Sequence, residues 1–423
     1  MEALKFGKGV WATKTGSSMA YNDHSGNYKP LPFNVVRNSI ATRVNKEGLI
    51  EVVGRDKLRI DYTDTDKGVA LLENTSTNLI TFSEDFSNSS WLKLNASVTS
   101  NNIISPDGTL NADKLIPSNT TATTFIYSAF TSNASDYTLS FFIKYDARQY
   151  VQLLFGSSAS TNFSNFDLVN EVVTSGNGNI EKYDNDWYRI SLTANLNAGA
   201  TEVYLWAIDS PLSSRASAST GNGVDGYYIY GAQLEQNSLL SSYIPTSGSA
   251  VTRAADVANG SGNSEVFNDS EGVLMLEISR LNKADSSSEI ISINDGSLSN
   301  YITLYYNSGG VTYTINFGST ERSGNFSMSA NNQANFNKIA LKYKSQNISL
   351  FVNGFEVDTN SGALALSGLN SLEFNHGNNA FDFYGKTKQI GYYDAILTDA
   401  ELEKLTSYNS LSELVTELNL NTL

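Results

Sequence analysis

The sequence predicts an all-β protein: two tandem antiparallel β-sandwiches of jelly-roll type, a small N-terminal attachment module and short C-terminal helices. Three observations carry this. Short apolar runs with a period of two recur along the chain, separated by turns rich in Gly, Asn and Ser. No sustained helical period occurs before the last few tens of residues. Aromatic residues make up 11% and charged residues only 17%, with 23 Tyr and 20 Phe, a composition that suits strands with one packed and one solvated face. At ~150 residues per domain, 423 residues suggest about three units.

Residues 1–63 are the least regular part. The stretch YNDHSGNYKPLP (21–32) is turn-rich, and two strands around Lys46-Glu47-Gly48 make a hairpin. Residues 64–257 form the first sandwich. Its strands are placed at 79–82, 137–145, 150–155, 188–194, 203–208 and 227–232. In the last of these Tyr227, Ile229 and Gly231 point one way, and Tyr228, Tyr230 and Ala232 the other. The run ANGSGN (258–263) is a linker on composition.

Residues 264–409 form the second sandwich, with strands at 272–279, 301–306, 311–317, 337–343, 348–352 and 389–393. Asn353-Gly354 between two apolar runs signals a two-residue hairpin, because both residues tolerate positive φ. Thr398 followed by Glu401 is a capping box that starts a helix over 399–408. Ser410 and Glu413 repeat the signature, and Leu411, Leu414 and Leu418 form the apolar stripe of a C-terminal helix within 410–423.

Charge and composition exclude several functions. The net charge is −15 with an isoelectric point near 4.6, which disfavours nucleic acid and anionic lipid. Without cysteine there is neither a disulfide nor a thiolate metal site. The first sixteen residues carry lysines but no apolar signal core, and no run approaches the ~20 apolar residues of a membrane helix. The expectation is a protein made in a bacterial cytoplasm that spans no membrane.

Two family resemblances enter here. The phrases ATRVNKEGLIE (41–51), RIDYTD (59–64), LLENTSTNLITFSEDFSNSSW (71–91), SPDGTLNADKL (105–115), NDWYRISL (185–192), YYIYGAQLE (227–235) and SYIPTSGSAVTRAADV (242–257) follow in that order. They resemble the carbohydrate-binding-module-like domain of bacteriophage tail-fibre and other virion structural proteins. The resemblance implies a jelly roll, a virion setting and glycan binding. The phrases NFNKIALKYKSQNISLFVNGFEVDT (335–359) and KQIGYYDAILTDAELEKL (388–405) resemble the concanavalin-A-like, laminin-G-type fold. The segment 5–33 is similar to leaders of phage proteins, which implies attachment to other virion proteins.

Catalytic chemistry has little to stand on. His24 and His376 are the two histidines, each in a turn-rich stretch and neither in a hydrolase motif. A pair of carboxylates for glycoside cleavage is not excluded by sequence, but the short-period repeat of a β-helix depolymerase is absent. Sugar binding needs aromatic faces and polar groups. Tyr204 and Trp206 share one face of their strand, and Trp187 and Arg189 share one face of theirs. With Lys144 and Gln152 on the polar faces of neighbouring strands, one groove lined by Lys144, Gln152, Arg189, Tyr204 and Trp206 is the candidate carbohydrate site. The competing assignment makes Trp187 and Trp206 core residues. No cofactor is expected. Structural calcium is common in such sandwiches, with Asp85, Asp225 and Glu235 as candidate ligands, although Gly231 stands where related modules often carry Asp.

The reading from sequence is therefore a non-enzymatic, oligomeric phage virion protein, head or tail fibre, that binds glycans of a host surface or mucus. The rivals are a structural spacer without glycan specificity and a polysaccharide-degrading tail spike.

Overall fold

In the computed structural model, residues 33–408 are described apart from 64–67, 157–161, 282–288 and 379, together with 410 and 413. For residues 1–32 the description is confined to the backbone of four strands. The chain is all-β, with antiparallel sheets and two short helices among the described residues. It divides into two compact units, and the division is not linear. Unit 1 comprises Met1–Asn38, Arg55–Asn74 and Ala255–Leu423, and unit 2 comprises Ser39–Gly54 and Thr75–Ala254.

This corrects the expected boundaries at 63, 257 and 263. The hairpin Ala41–Val44/Ile50–Val53 belongs to unit 2, because Ile50 is buried with Phe142, Trp187, Tyr230 and Tyr243. The strands Arg59–Asp61 and Val69–Leu72 belong to unit 1, where Val69–Leu72 pairs with Gly385–Tyr393. Residues 258–263 are not a free linker either: Val257–Asn259 pairs with Asn34–Val36. The C-terminal stripe of Leu411, Leu414 and Leu418 lies outside the described residues.

Unit 2 is a sandwich of two six-stranded sheets. One runs, neighbour to neighbour, Leu92–Leu94, Phe125–Ser132, Gly199–Ala207, Tyr150–Phe155, Phe163–Asp167 and Val172–Ser175. The other runs Ala96–Ile104, Leu110–Pro117, Tyr227–Glu235, Ser135–Tyr145, Trp187–Leu196 and Asn179–Tyr183. Alternation drives the packing. Leu139, Phe141 and Ile143 from one sheet meet Val151, Leu153, Val203 and Leu205 from the other in a closed core.

The strand Tyr227–Glu235 departs from simple alternation. Its pairing with Ser135–Tyr145 slips between Ser140 and Phe142, and Gly231 at the slip has φ 58°. The bulge resets the period, so Ala232 and Leu234 join Tyr227 and Ile229 in the core. A Cβ at Gly231 would come within 2.8 Å of the Phe142 ring, so glycine is required there by space as well as by φ.

Unit 1 is a second sandwich. Its larger sheet runs Phe355–Asn360, Ile348–Val352, Asn337–Lys344, Glu271–Arg280, Gly385–Tyr393, Val69–Leu72 and Arg59–Asp61, with Ala3–Lys5 also on Gly385–Tyr393. The smaller sheet runs Thr320–Ser327, Gly310–Phe317, Asn300–Asn307, Glu289–Asn294 and Ser371–Glu373. Between them Leu274, Leu276, Ile302, Leu304, Leu341 and Tyr392 close the core. The predicted Asn353-Gly354 hairpin forms, with φ of 51° and 90°. Thr398 caps the helix Asp399–Thr406 with both bonds of the capping box, and Leu402 seats against Val273, Met275 and Phe351.

Where the chain passes between the units, unit 1 holds its own ends together with buried charge. Arg37 donates to Asp256 (2.7 Å) and to the Lys57 carbonyl (2.9 Å). Arg59 donates to Glu73 (2.5 Å) and to Asp256. The Glu73 amide also donates to Asp256 (2.9 Å). All four side chains are buried, so the segments next to the crossings at 38, 55, 74 and 255 are fixed by one network.

Candidate functional site

In unit 2, the sheet that starts at Leu92–Leu94 turns Ile126, Val203, Leu205, Val151 and Leu153 inward. Its opposite face therefore carries Phe125 and Tyr127, Tyr204 and Trp206, Gln152 and Leu154. Register sets these in tiers. Leu92, Tyr127, Tyr204 and Leu154 lie opposite one another, as do Leu94, Phe125, Trp206 and Gln152.

The rings form a continuous patch. Phe125 stacks on Trp206 with centroids 4.3 Å apart, and Tyr127 stacks on Tyr204 at 5.2 Å. Phe125 meets Tyr204 edge-on at 5.2 Å. Half of the face is then covered. The segment 209–219 crosses it and is pinned by side chains from the sheet. Trp206 Nε1 donates to the Ser217 carbonyl (2.8 Å), and the Ala216 amide donates to Gln152 (2.8 Å). Asn165 donates to the carbonyls of Pro211 (3.1 Å) and Ser213 (2.8 Å). The uncovered half holds Phe125, Tyr127 and Tyr204, all partly exposed, with Leu92 49% and Leu94 43% exposed at its rim.

Polar groups flank this platform. Burial raises the Tyr204 phenol above its ordinary value, the nearby Glu202 and Tyr127 add to the rise, and Arg215 opposes it. A carboxylate and a guanidinium thus stand beside an aromatic surface, which is the equipment for holding a polyhydroxylated ring: C–H faces on the rings, hydroxyls on the charges.

The five residues expected in one groove do not converge. Tyr204 and Trp206 share the platform face as predicted, but Trp206 is only 6% exposed and acts as its underlay. Gln152 is on the same face and fully buried, holding the covering segment through Ala216 and Asn165 (2.7 Å). Lys144 and Arg189 belong to the other sheet, on its outward face. There Arg189 is buried over the Phe142 ring at 5.1 Å and donates to the Ser241 carbonyl (2.8 Å). Lys144 donates to the Asn185 carbonyl (2.6 Å). A sandwich has two outer faces, and strand alternation alone cannot say which sheet a strand joins. Trp187 is core, with its Nε1 on the Ile104 carbonyl (3.3 Å). Sequence reasoning missed Phe125 and Tyr127, although the alternation in FIYSAF (125–130) carries the signal.

The candidate calcium ligands are also dispersed. Asp85 caps its own turn through Ser87 and Asn88, Asp225 pairs with Asn222, and buried Glu235 takes bonds from Ser76 and Ser241. Among the described residues no group of three or more acidic or histidine side chains is placed to hold a metal ion.

A different carboxyl pair is built into unit 2. The Tyr230 hydroxyl lies 3.0 Å from both Glu84 Oε1 and Asp107 Oδ2, and the Tyr243 hydroxyl lies 3.0 Å from the same Glu84 oxygen. Burial pushes the Glu84 carboxyl up, against the two phenol donors, and the Asp107 charge adds to the rise. Burial also acts to raise Asp107, but donors from Ser105, Thr109 and Asn111 outweigh it and hold that carboxyl below its usual value.

No protein-family model matches the chain, and no curated protein matches it. Among solved structures, it is similar to the CBM40 module of the Ruminococcus gnavus IT-sialidase bound to α2,3-sialyllactose. That match has 19% identity, 35% of this chain, 94% of the module and a TM-score of 0.29. Domain 4 of a GH43 extracellular arabinanase from Geobacillus stearothermophilus, in complex with arabinotriose, matches at 11% identity. It covers 36% of this chain and 73% of that one, with a TM-score of 0.30. Domains LG4-5 of the mouse laminin α1 chain match at 11% identity over 65% of this chain and 86% of that one, with a TM-score of 0.26. The all-β architecture of the chain rests on its own strand order.

Proposed function

We propose that this protein is a non-enzymatic glycan-binding component of a bacteriophage virion, and that the half-exposed platform of Phe125, Tyr127 and Tyr204 is its sugar-binding face. The observation that carries the proposal is the platform itself: stacked rings left open on one half of a sheet, rimmed by Leu92 and Leu94 and flanked by Glu202 and Arg215. A soluble β-sandwich ordinarily covers such a surface or replaces it with charge. The virion setting rests on the seven ordered phrases between 41 and 257. Attachment falls to the N-terminal segment, and several copies on one particle would turn weak sugar affinity into avidity. The reading needs no cofactor.

The test is a glycan array probed with the full-length protein and with Tyr204→Ala. Truncating a ring at the centre of a binding surface costs about 2 kcal/mol, roughly a 30-fold loss of affinity. Binding by the wild type that survives Tyr204→Ala unchanged would remove the platform from the account. A silent array with a copy number matching capsid symmetry would favour the spacer, and release of reducing ends from host capsule would favour the enzyme.

A further inference from the structure

Five side-chain oxygens of unit 2 form a chain with one proton too few. In order they are Ser83 Oγ, the Tyr243 hydroxyl, Glu84 Oε1, the Tyr230 hydroxyl and Asp107 Oδ2, joined by contacts of 2.8, 3.0, 3.0 and 3.0 Å. Ser83, Tyr230 and Tyr243 are buried, while Glu84 and Asp107 keep part of their surface in solvent. With both carboxylates ionised, three hydroxyls supply three protons for four contacts. The Tyr230 hydroxyl then has one proton and two carboxylates to serve. The carboxylate it fails faces an oxygen lone pair across 3.0 Å. Each carboxylate oxygen lies 3.0 Å from that one hydroxyl, so the two are within about 6 Å, a range in which like charges act strongly on each other.

A proton on Glu84 completes the chain. Glu84 then donates to Tyr230, Tyr230 to Asp107, Tyr243 to Glu84 and Ser83 to Tyr243. Asp107 is the carboxyl that stays ionised, because Ser105, Thr109 and Asn111 also donate to it. The groups that face Glu84 are Tyr230 from the strand Tyr227–Glu235, Tyr243 from the segment after it and Asp107 from the turn at 105–109. Arg189, from the strand Trp187–Leu196, acts on the Tyr243 phenol, and the hairpin at 41–53 contributes apolar Ile50. Burial holds both phenols far above their ordinary value, so they keep their protons throughout the range in which a carboxyl titrates.

The chain of oxygens draws together segments that are distant in sequence, and the hairpin Ala41–Val44/Ile50–Val53 is tied to two of them. Thr42 Oγ1 donates to the carbonyl of Tyr243 itself. The Ile50 amide donates to the carbonyl of Pro106 (2.8 Å), the residue before Asp107. The Ile50 side chain packs in one cluster with Tyr230 and Tyr243. Parting Glu84 from Asp107 therefore moves the two backbone groups that hold the hairpin.

We infer that this oxygen chain is a proton-operated latch. With a proton on Glu84 it fastens the hairpin at 41–53 over the outer face of its sheet, and with Glu84 and Asp107 both ionised it lets the hairpin loosen. The sign follows from the count of contacts. The fastened state binds the proton more tightly than the loosened one, so fastening is complete in acid and is lost as pH rises through the fastened-state value of Glu84. The hairpin lies between the chain crossings at 38 and 55, so the latch acts on the stretch that leaves unit 1 and returns to it. Nothing in it depends on the platform of Phe125, Tyr127 and Tyr204.

The experiment is hydrogen exchange of the full-length protein, read by mass spectrometry between pH 5 and pH 8. Rates are expressed as protection factors, which remove the intrinsic pH dependence of amide exchange. Protection of peptides spanning 41–53 should fall at least about fivefold toward pH 8, the equivalent of one unmet buried contact at roughly 1 kcal/mol. Peptides from the core strand Ser135–Tyr145 should stay level. Glu84→Gln, whose amide donates at every pH, should hold the hairpin level as well. If that variant does not fold, Asp107→Asn decides the matter, since its amide can donate to Tyr230 and free the phenol proton for Glu84. Hairpin protection that does not fall with pH overturns the inference. So does a fall that the deciding variant keeps in full, or one that the core strand shares equally.

Discussion

Removing the Asp256 carboxylate should unfold unit 1 selectively. Asp256 is fully buried and takes bonds from Arg37 (2.7 Å), from Arg59 and from the Glu73 amide (2.9 Å). In Asp256→Ala, two buried guanidiniums would lose the carboxylate they share, while Arg59 keeps its bond to Glu73 at 2.5 Å. Breaking a buried pair from one side costs about 3–5 kcal/mol, because an uncompensated charge stays behind. For a unit of this size each kcal/mol is roughly 2–4 °C, so the melting temperature should fall by about 6–20 °C. The assay has a built-in separation. Of the four tryptophans, Trp91, Trp187 and Trp206 belong to unit 2 and Trp11 to unit 1, so in a Trp11→Phe background tryptophan fluorescence follows unit 2 while far-UV circular dichroism follows both. The expected result is an early circular-dichroism transition with the fluorescence transition in place. Glu51→Ala breaks a half-exposed pair with Arg43 (3.1 Å) and should cost at most about 1 kcal/mol. An Asp256→Ala shift no larger than that of Glu51→Ala would refute the claim that this network fixes the chain crossings.

Two further outcomes follow from unit 2, beside the experiments already described. The Glu84 carboxyl is raised above its ordinary 4.5, so its contribution to stability is complete below that pH and is lost as pH rises through the folded value. Glu84→Gln should therefore gain melting temperature over the wild type at pH 8 and converge with it near pH 4, and a pH-independent difference would contradict this. Gln152→Ala removes the side chain that holds Ala216 and Asn165, leaving buried polar groups unmet at about 1–3 kcal/mol. It should also loosen the covering segment, read as faster tryptic cleavage after Arg215, and an unchanged cleavage rate would show that the segment is held by other means.

The candidate site was legible in part. VYLWA (203–207) puts Tyr204 and Trp206 on one face by period alone, and that held. The match of Gln152 to that face also held, since it pairs directly with Trp206. What failed was the step from face to groove. Lys144 and Arg189 alternate as polar outward residues should, yet they sit on the other sheet. Nor does period show cover: Gln152 and Arg189 read as polar surface, and both are buried beneath segments that cross their faces.

By itself the sequence determined the all-β class, most of the strands, the Asn353-Gly354 turn and the Thr398 cap, because each is set by neighbours a few residues apart. The period of two, a positive φ and a capping bond are local physics. Tertiary structure alone decided the domain division. Residues 59 and 71 enter the sheet of residues 271–393, and residue 50 enters the core around 142 and 230, through contacts that are distant along the chain. It alone decided that Gly231 resets the alternation of its strand, since a bulge exists only relative to a partner. It likewise decided which aromatic residues stay open, because exposure is fixed by what folds across a sheet and not by the strand that carries the ring.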